Sequence, residues 1–225
     1  MNAASFDLIK EALIASGIEK GSRVSEYVSK LDVLQQKVTP FLWTVDHPGA
    51  KARMLFDWLW AEKPGRYQSR GSYKLHEVLD AQMTADAQSV GNCLGLTLLY
   101  NCLLRKMGIQ AKALFIEYAF NIGPHVLTLL PAEEREIEIE NIFPDGFDYR
   151  GHLDSPKRTI WEDRELVADI YLSAGNEFFE KSEWSKALES YEVAIYLYPT
   201  YEKAHLNRVI LLDKVEREKK IRRIS

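Results

Sequence analysis

Residues 93–108 (Cys-Leu-Gly-Leu-Thr-Leu-Leu-Tyr-Asn-Cys-Leu-Leu-Arg-Lys-Met-Gly) constrain the fold more than any other stretch. Leu94, Leu96, Leu98, Leu99, Tyr100, Leu103 and Leu104 cover most of the circumference of a helix, and a helix apolar on all sides has to be buried. Arg105 and Lys106 fall in its last turn, where cations suit the dipole, and Gly108 is a natural stop. The pattern then changes to strand. Residues 111–120 are rich in β-formers, Asn121-Ile-Gly-Pro is turn chemistry, residues 125–130 form a second strand, and residues 135–141 alternate cleanly as a third. Short connections predict an antiparallel meander for the central helix to lie against.

Helical patterns precede this unit. Phe6, Ile9 and Leu13 recur at helical spacing after Ser5, a candidate cap, and Gly17 ends them. A second helix follows Ser22, with Val24, Val28, Leu31, Leu34 and Val38 as its stripe and Pro40 as its close. A third starts near Pro48 and stops at Lys63-Pro64-Gly65. Residues 65–73 read as a loop, Leu75 to Met83 as a short helix, and Ser89-Val90-Gly91-Asn92 as the loop that leads into Cys93.

The chain is helical again from about Glu165. Tyr171, Ala174, Gly175, Phe178, Ala187, Tyr191, Ala194 and Pro199 fall at the spacing of the tetratricopeptide repeat. Gly175 and Ala187 let two antiparallel helices approach, Phe178 and Tyr191 fill the space between them, and residues 201–220 supply a capping helix. The predicted architecture is α+β, with a helical N-terminal region and mixed core over 1–160 and repeat helices over 161–225.

Several classes are disfavoured by composition. A net charge of −4 lacks the basic excess of a nucleic-acid binder. No apolar run approaches the roughly 18 residues of a membrane span, and the first residues lack the pattern of a secretory signal, so a cytoplasmic location is expected. Two cysteines, with histidines at 47, 76, 125, 152 and 205 and no H-x-x-x-H spacing, predict neither a disulfide framework nor a metal helix. No cofactor is expected.

The chemistry concentrates at Gly91-Asn92-Cys93. A cysteine in the first helical turn faces the positive end of the dipole and unpaired amides, which favour the nucleophilic thiolate and can hold an oxyanion. Cys102, mid-helix in the same apolar segment, has no such setting and reads as core. A thiolate needs a base. His125 opens a strand of the sheet this helix should pack on, and His76, on the preceding helix, is its rival. A third group should orient the imidazole. Strand parity puts Asn141 on the face of Ile137 and Ile139 and Glu140 on the opposite one, so an apolar-facing site favours Asn141 and a bulge reverses the choice. Gln82 and Gln88, upstream of Cys93, are candidate oxyanion donors.

A helix cysteine, a strand histidine and an acid or amide on the next strand resemble the order of the transglutaminase-like, papain-type cysteine superfamily. Leu75-His-Glu-Val-Leu79, Gly91-Asn-Cys-Leu-Gly-Leu-Thr-Leu-Leu-Tyr100, Arg105-Lys-Met-Gly-Ile109 and Gly123-Pro-His125 are similar to a bacterial family that joins a transglutaminase-like core to C-terminal tetratricopeptide repeats. This resemblance covers nearly the whole chain. It implies Cys93 as nucleophile, His125 as base and Glu140 as the acid, and hydrolysis of an amide or peptide through a Cys-His-Glu/Asn site. The family often reads Pro-Gly-His where this chain has Gly123-Pro124-His125, and many relatives lack the cysteine. The alternative is therefore a non-catalytic interaction module with a vestigial site. In either case the repeat implies a protein or peptide partner.

Overall fold

The computed structural model describes residues 6–19, 21–42, 45–132 and 135–222, which form eight helices and one four-stranded antiparallel sheet. The architecture is α+β, as the hydrophobic periodicities require. Two compact units are present, residues 1–163 and residues 164–225. Among the described residues no helix is long and apolar enough to cross a membrane.

In the first unit, α1 (Leu8–Ala15) is capped by Asp7, whose carboxylate accepts the Lys10 amide; the candidate cap Ser5 lies outside the described residues. Helix α2 (Ser22–Leu42) buries Val24, Leu31, Leu34 and Val38 as its stripe predicts. Pro40 does not close it: the helix runs two residues further, because a proline in the last turn forfeits only one ladder bond. Helix α3 (Pro48–Glu62) has proline in its first turn and buries Ala52, Leu55, Phe56, Leu59 and Trp60. Helix α4 (Leu75–Met83) leads to α5 (Cys93–Lys106), the central helix, which is buried continuously from Leu94 to Leu104.

The sheet follows as β1 (Lys112–Ala119), β2 (Gly123–Pro131), β3 (Glu136–Ile139) and β4 (Arg158–Trp161), in the spatial order β3-β2-β1-β4. The first three form the expected meander. Strand β4 was not expected; it pairs antiparallel with the free edge of β1, Ala113 opposite Trp161 and Ile116 opposite Arg158. Its four residues carry too little alternation to read as a strand, and only the edge of β1 gives them a partner. The β1–β2 turn also sits one residue earlier than its composition suggests. Ile122 N–H donates to the Ala119 carbonyl, and Phe120 and Asn121 adopt left-handed φ values of 53° and 56°. Two successive positive φ values give the twist that a tight hairpin needs.

Both faces of the sheet are apolar. Leu114, Ile116, Leu127 and Leu129 form a core cluster on one face. Val126, Thr128, Ile139 and Asn141 occupy the other, and there the sheet meets α5.

The second unit contains α6 (Asp163–Glu180) from its second residue onward, α7 (Trp184–Leu197) and α8 (Glu202–Arg222). Helices α6 and α7 meet at Gly175, where a β-carbon would stand 2.4 Å from the Tyr191 ring. Ala187, Tyr191 and Ala194 are buried, and the Tyr191 hydroxyl donates to Asn176.

Candidate active site

Cys93 occupies the first position of α5 and is half-buried, whereas Cys102 is fully enclosed and its thiol is pushed well up by burial. The Asn92 carboxamide caps the helix by accepting the Gly95 amide at 3.0 Å, and the Asn92 carbonyl accepts the Leu96 amide. The amides of Cys93 and Leu94 thus remain helix-start donors without an intrahelical partner. The loop before them is fastened from outside. Val90 and Gly91 donate to the Arg66 carbonyl at 2.8 and 3.2 Å, Gln68 donates to the Gly91 carbonyl, and Asn92 donates to the Ser72 carbonyl. That Ser72 carbonyl lies so close that β-carbons on Gly91 and Gly95 would approach it to 2.8 and 2.4 Å. Gly91 therefore serves close backbone packing.

Strand β2 begins at Gly123, two residues before the expected start, and His125 is its third residue, opposite Ile116 and almost enclosed. Its Nε2 donates to Glu140 Oε2 at 2.7 Å. Its ring is also within hydrogen-bonding reach of the Cys93 side chain, and with Nε2 committed, Nδ1 is the nitrogen left for sulfur. Burial pushes the imidazole down, but the bonds to Cys93 and Glu140 and their charges outweigh it and raise the ring from 6.5 to about 10. Burial alone would push the Glu140 carboxyl up; hydrogen bonds from His125 and His152 hold it below its ordinary value.

Helix α5 carries the sulfur and β2 the imidazole, so their registry fixes the site. A buried polar network sets it. Thr97 Oγ1 donates to the Val126 carbonyl, Thr128 Oγ1 donates to Asn101 Oδ1, and Asn101 Nδ2 donates to the Lys112 carbonyl. Asn141 belongs to this network, its Nδ2 donating to Thr97 Oγ1 at 3.2 Å and Thr128 Oγ1 at 3.0 Å. Strand parity places Asn141 as predicted, on the face of Ile139. The imidazole bonds Glu140, while the Asn141 carboxamide is taken up by Thr97 and Thr128, so Asn141 does not meet the imidazole.

Glu140 lies just beyond β3, wholly buried, with its amide bonded to the Gly146 carbonyl at 2.8 Å. His76 packs against the Tyr27 ring on α2 and is not brought to Cys93. Gln88 is exposed and donates weakly to the Asp86 carbonyl. Gln82 is buried, with neither polar atom partnered among the described residues.

Three residues around the site were not singled out from the sequence. Tyr67, whose backbone bridges to Gly91, is raised by burial and by the charges of Cys93 and Glu140. His152, almost fully buried, donates from Nε2 to the same Glu140 Oε2 at 3.1 Å. Phe120 holds its strained turn position with its ring 5.3 Å from His125 and 4.6 Å from His152. The positive φ of a bulky residue is a weak sequence signal at best, and His152 reaches the site only through the loop after β3. No family model, curated protein or solved structure matches the chain, so the reading of this site rests on its own geometry.

Proposed function

We propose that the chain is a cysteine-dependent acyl-transfer enzyme with a transglutaminase-like, papain-type site that hydrolyses an amide or peptide bond. One observation carries this reading: the buried His125 ring bonds Glu140 at 2.7 Å through Nε2 and lies within hydrogen-bonding reach of the Cys93 side chain. Cys93 sulfur attacks the carbonyl carbon, and the Cys93 and Leu94 amides receive the oxyanion. The bond to the leaving nitrogen breaks as His125 Nδ1–H gives it a proton. Water then attacks the acyl-enzyme and returns a proton to His125, and the sulfur–carbon bond breaks. Glu140 keeps the ring oriented and favours its protonated form.

Iodoacetamide alkylation mapped by mass spectrometry tests this. Cys93 should label well above the rate of a small-peptide thiol, Cys102 should stay unlabelled in the folded chain, and His125→Ala should bring Cys93 down to the peptide rate. A Cys93 rate that matches the peptide thiol, or that ignores His125→Ala, overturns the catalytic reading.

A second reading, a protein-interaction module built on a tetratricopeptide repeat, is favoured by one feature of α8. Leu206, Val209 and Ile210 fall at helical spacing on one stripe and are 59%, 60% and 48% exposed. This reading stands if Cys93 is unreactive.

A further inference from the structure

The polar groups behind Cys93 exceed what a cysteine–histidine–carboxylate relay uses. One carboxylate oxygen, Glu140 Oε2, takes bonds from two imidazoles, while Oε1 of the same wholly buried group has no partner among the described residues. A buried polar atom left unpaired is costly, and an ion that took both Glu140 oxygens would complete it. The three side chains each offer one donor atom, and these atoms lie within 4.8 Å of one another. Two imidazole nitrogens with one carboxylate is a donor set for borderline divalent transition ions.

The spacing suits such an ion. Bond lengths of about 2.0–2.2 Å in a tetrahedral site separate its ligand atoms by about 3.3 Å. The two nitrogen–oxygen distances here, 2.7 and 3.1 Å, are a few tenths of an ångström short of that separation, and the two nitrogens lie within 4.8 Å of each other. The rings of Phe120 and Tyr149 wall His152 at 4.6 and 5.0 Å and keep the surroundings apolar. No helix spacing announces this site, because its donors come from β2, the end of β3 and the loop beyond.

We propose that His125, Glu140 and His152 form a binding site for a divalent transition ion of the zinc class, and that the bound ion silences Cys93 by holding His125. Binding sends the Nε2 proton that His125 shares with Glu140 to solvent, and His152 binds as the neutral imidazole with its one proton on Nδ1. With Nε2 on the ion, His125 keeps a single proton on Nδ1. It can take no second one and no longer ferries protons for the sulfur. The ion site stands independently; its effect on Cys93 rests on the acyl-transfer reading above.

Zinc chloride titrated calorimetrically into the full chain, stripped beforehand with a chelator, should bind at one ion per chain. Glu140→Gln and His152→Ala should each weaken binding at least about 100-fold, more than the loss of an outer-shell partner ordinarily does, while Cys93→Ser should retain it. Cobalt(II) in the wild-type chain should give ligand-field bands without an intense thiolate charge-transfer band, a readout that depends on no variant folding. Absence of stoichiometric zinc, binding that survives His152→Ala in a folded chain, or a thiolate band that assigns the ion to Cys93 overturns the site. Saturating zinc should slow Cys93 alkylation in the wild type. Zinc that binds without slowing it overturns the silencing and leaves the site; fast Cys93 labelling without zinc binding overturns the site and leaves the acyl-transfer reading.

Discussion

A β-carbon placed on Gly146 would sit 1.9 Å from the Glu140 carbonyl oxygen, far inside contact distance. Backbone meets backbone there, so nothing flexible can yield. Gly146→Ala should cost about 1–3 kcal/mol in an equilibrium melt and should also slow Cys93 alkylation, because Glu140 moves away from His125. Wild-type alkylation in this variant would show that Glu140 does not act through its present position. At the same scale the sequence was legible where chemistry is local. Cys93 declared itself by its place after Asn92 at a helix start, and His125 by its place near the start of a following strand. Parity sorted Glu140 and Asn141 onto opposite faces correctly, but it could not say which face holds the site, since both faces of this sheet are buried. His152 gave no signal because it reaches Glu140 through the path of a loop, which no periodicity encodes.

Helices α2 and α4 are joined by one carboxylate. Asp80 accepts from the Tyr27 hydroxyl and from Lys30 Nζ, each at 2.8 Å. Partial burial pushes Asp80 up, but the bonds from Lys30 and Tyr27 outweigh it and hold it below 3.8. A carboxyl depressed on folding stabilises above its ordinary value, and that contribution fades as pH falls through the depressed one. Asp80→Ala should therefore cost about 1 kcal/mol at neutral pH, the group being partly solvated. The gap between variant and wild type should narrow below about pH 4. Denaturant melts at both pH values check this, and a gap that widens in acid would contradict it. Most elements could be read from periodicity, α5 best of all because its apolar character is uninterrupted. Strand β4 could not, since Arg158 to Trp161 becomes a strand only by lying along β1. Pro40 misled for a related reason: its effect on a helix depends on how few bonds remain to be lost beyond it.

At the scale of the whole molecule, every group of the candidate site lies in the unit of residues 1–163. What makes that unit a coherent frame is an unlikely residue. Arg66 falls in a stretch that reads as loop, yet its side chain is fully enclosed over the Trp60 ring, its guanidinium nitrogens have no hydrogen-bond partner among the described residues, and burial lowers it to about 9. The backbone carbonyl of the same residue receives the amides of Val90 and Gly91. Releasing those amides means withdrawing a buried side chain from the core. Their exchange with deuterated solvent should accordingly proceed only through global opening, with protection as deep as that of the α5 interior and the same dependence on denaturant. The segment that presents the nucleophile would then have no private fluctuation: where most loops breathe on their own, this one keeps time with the core.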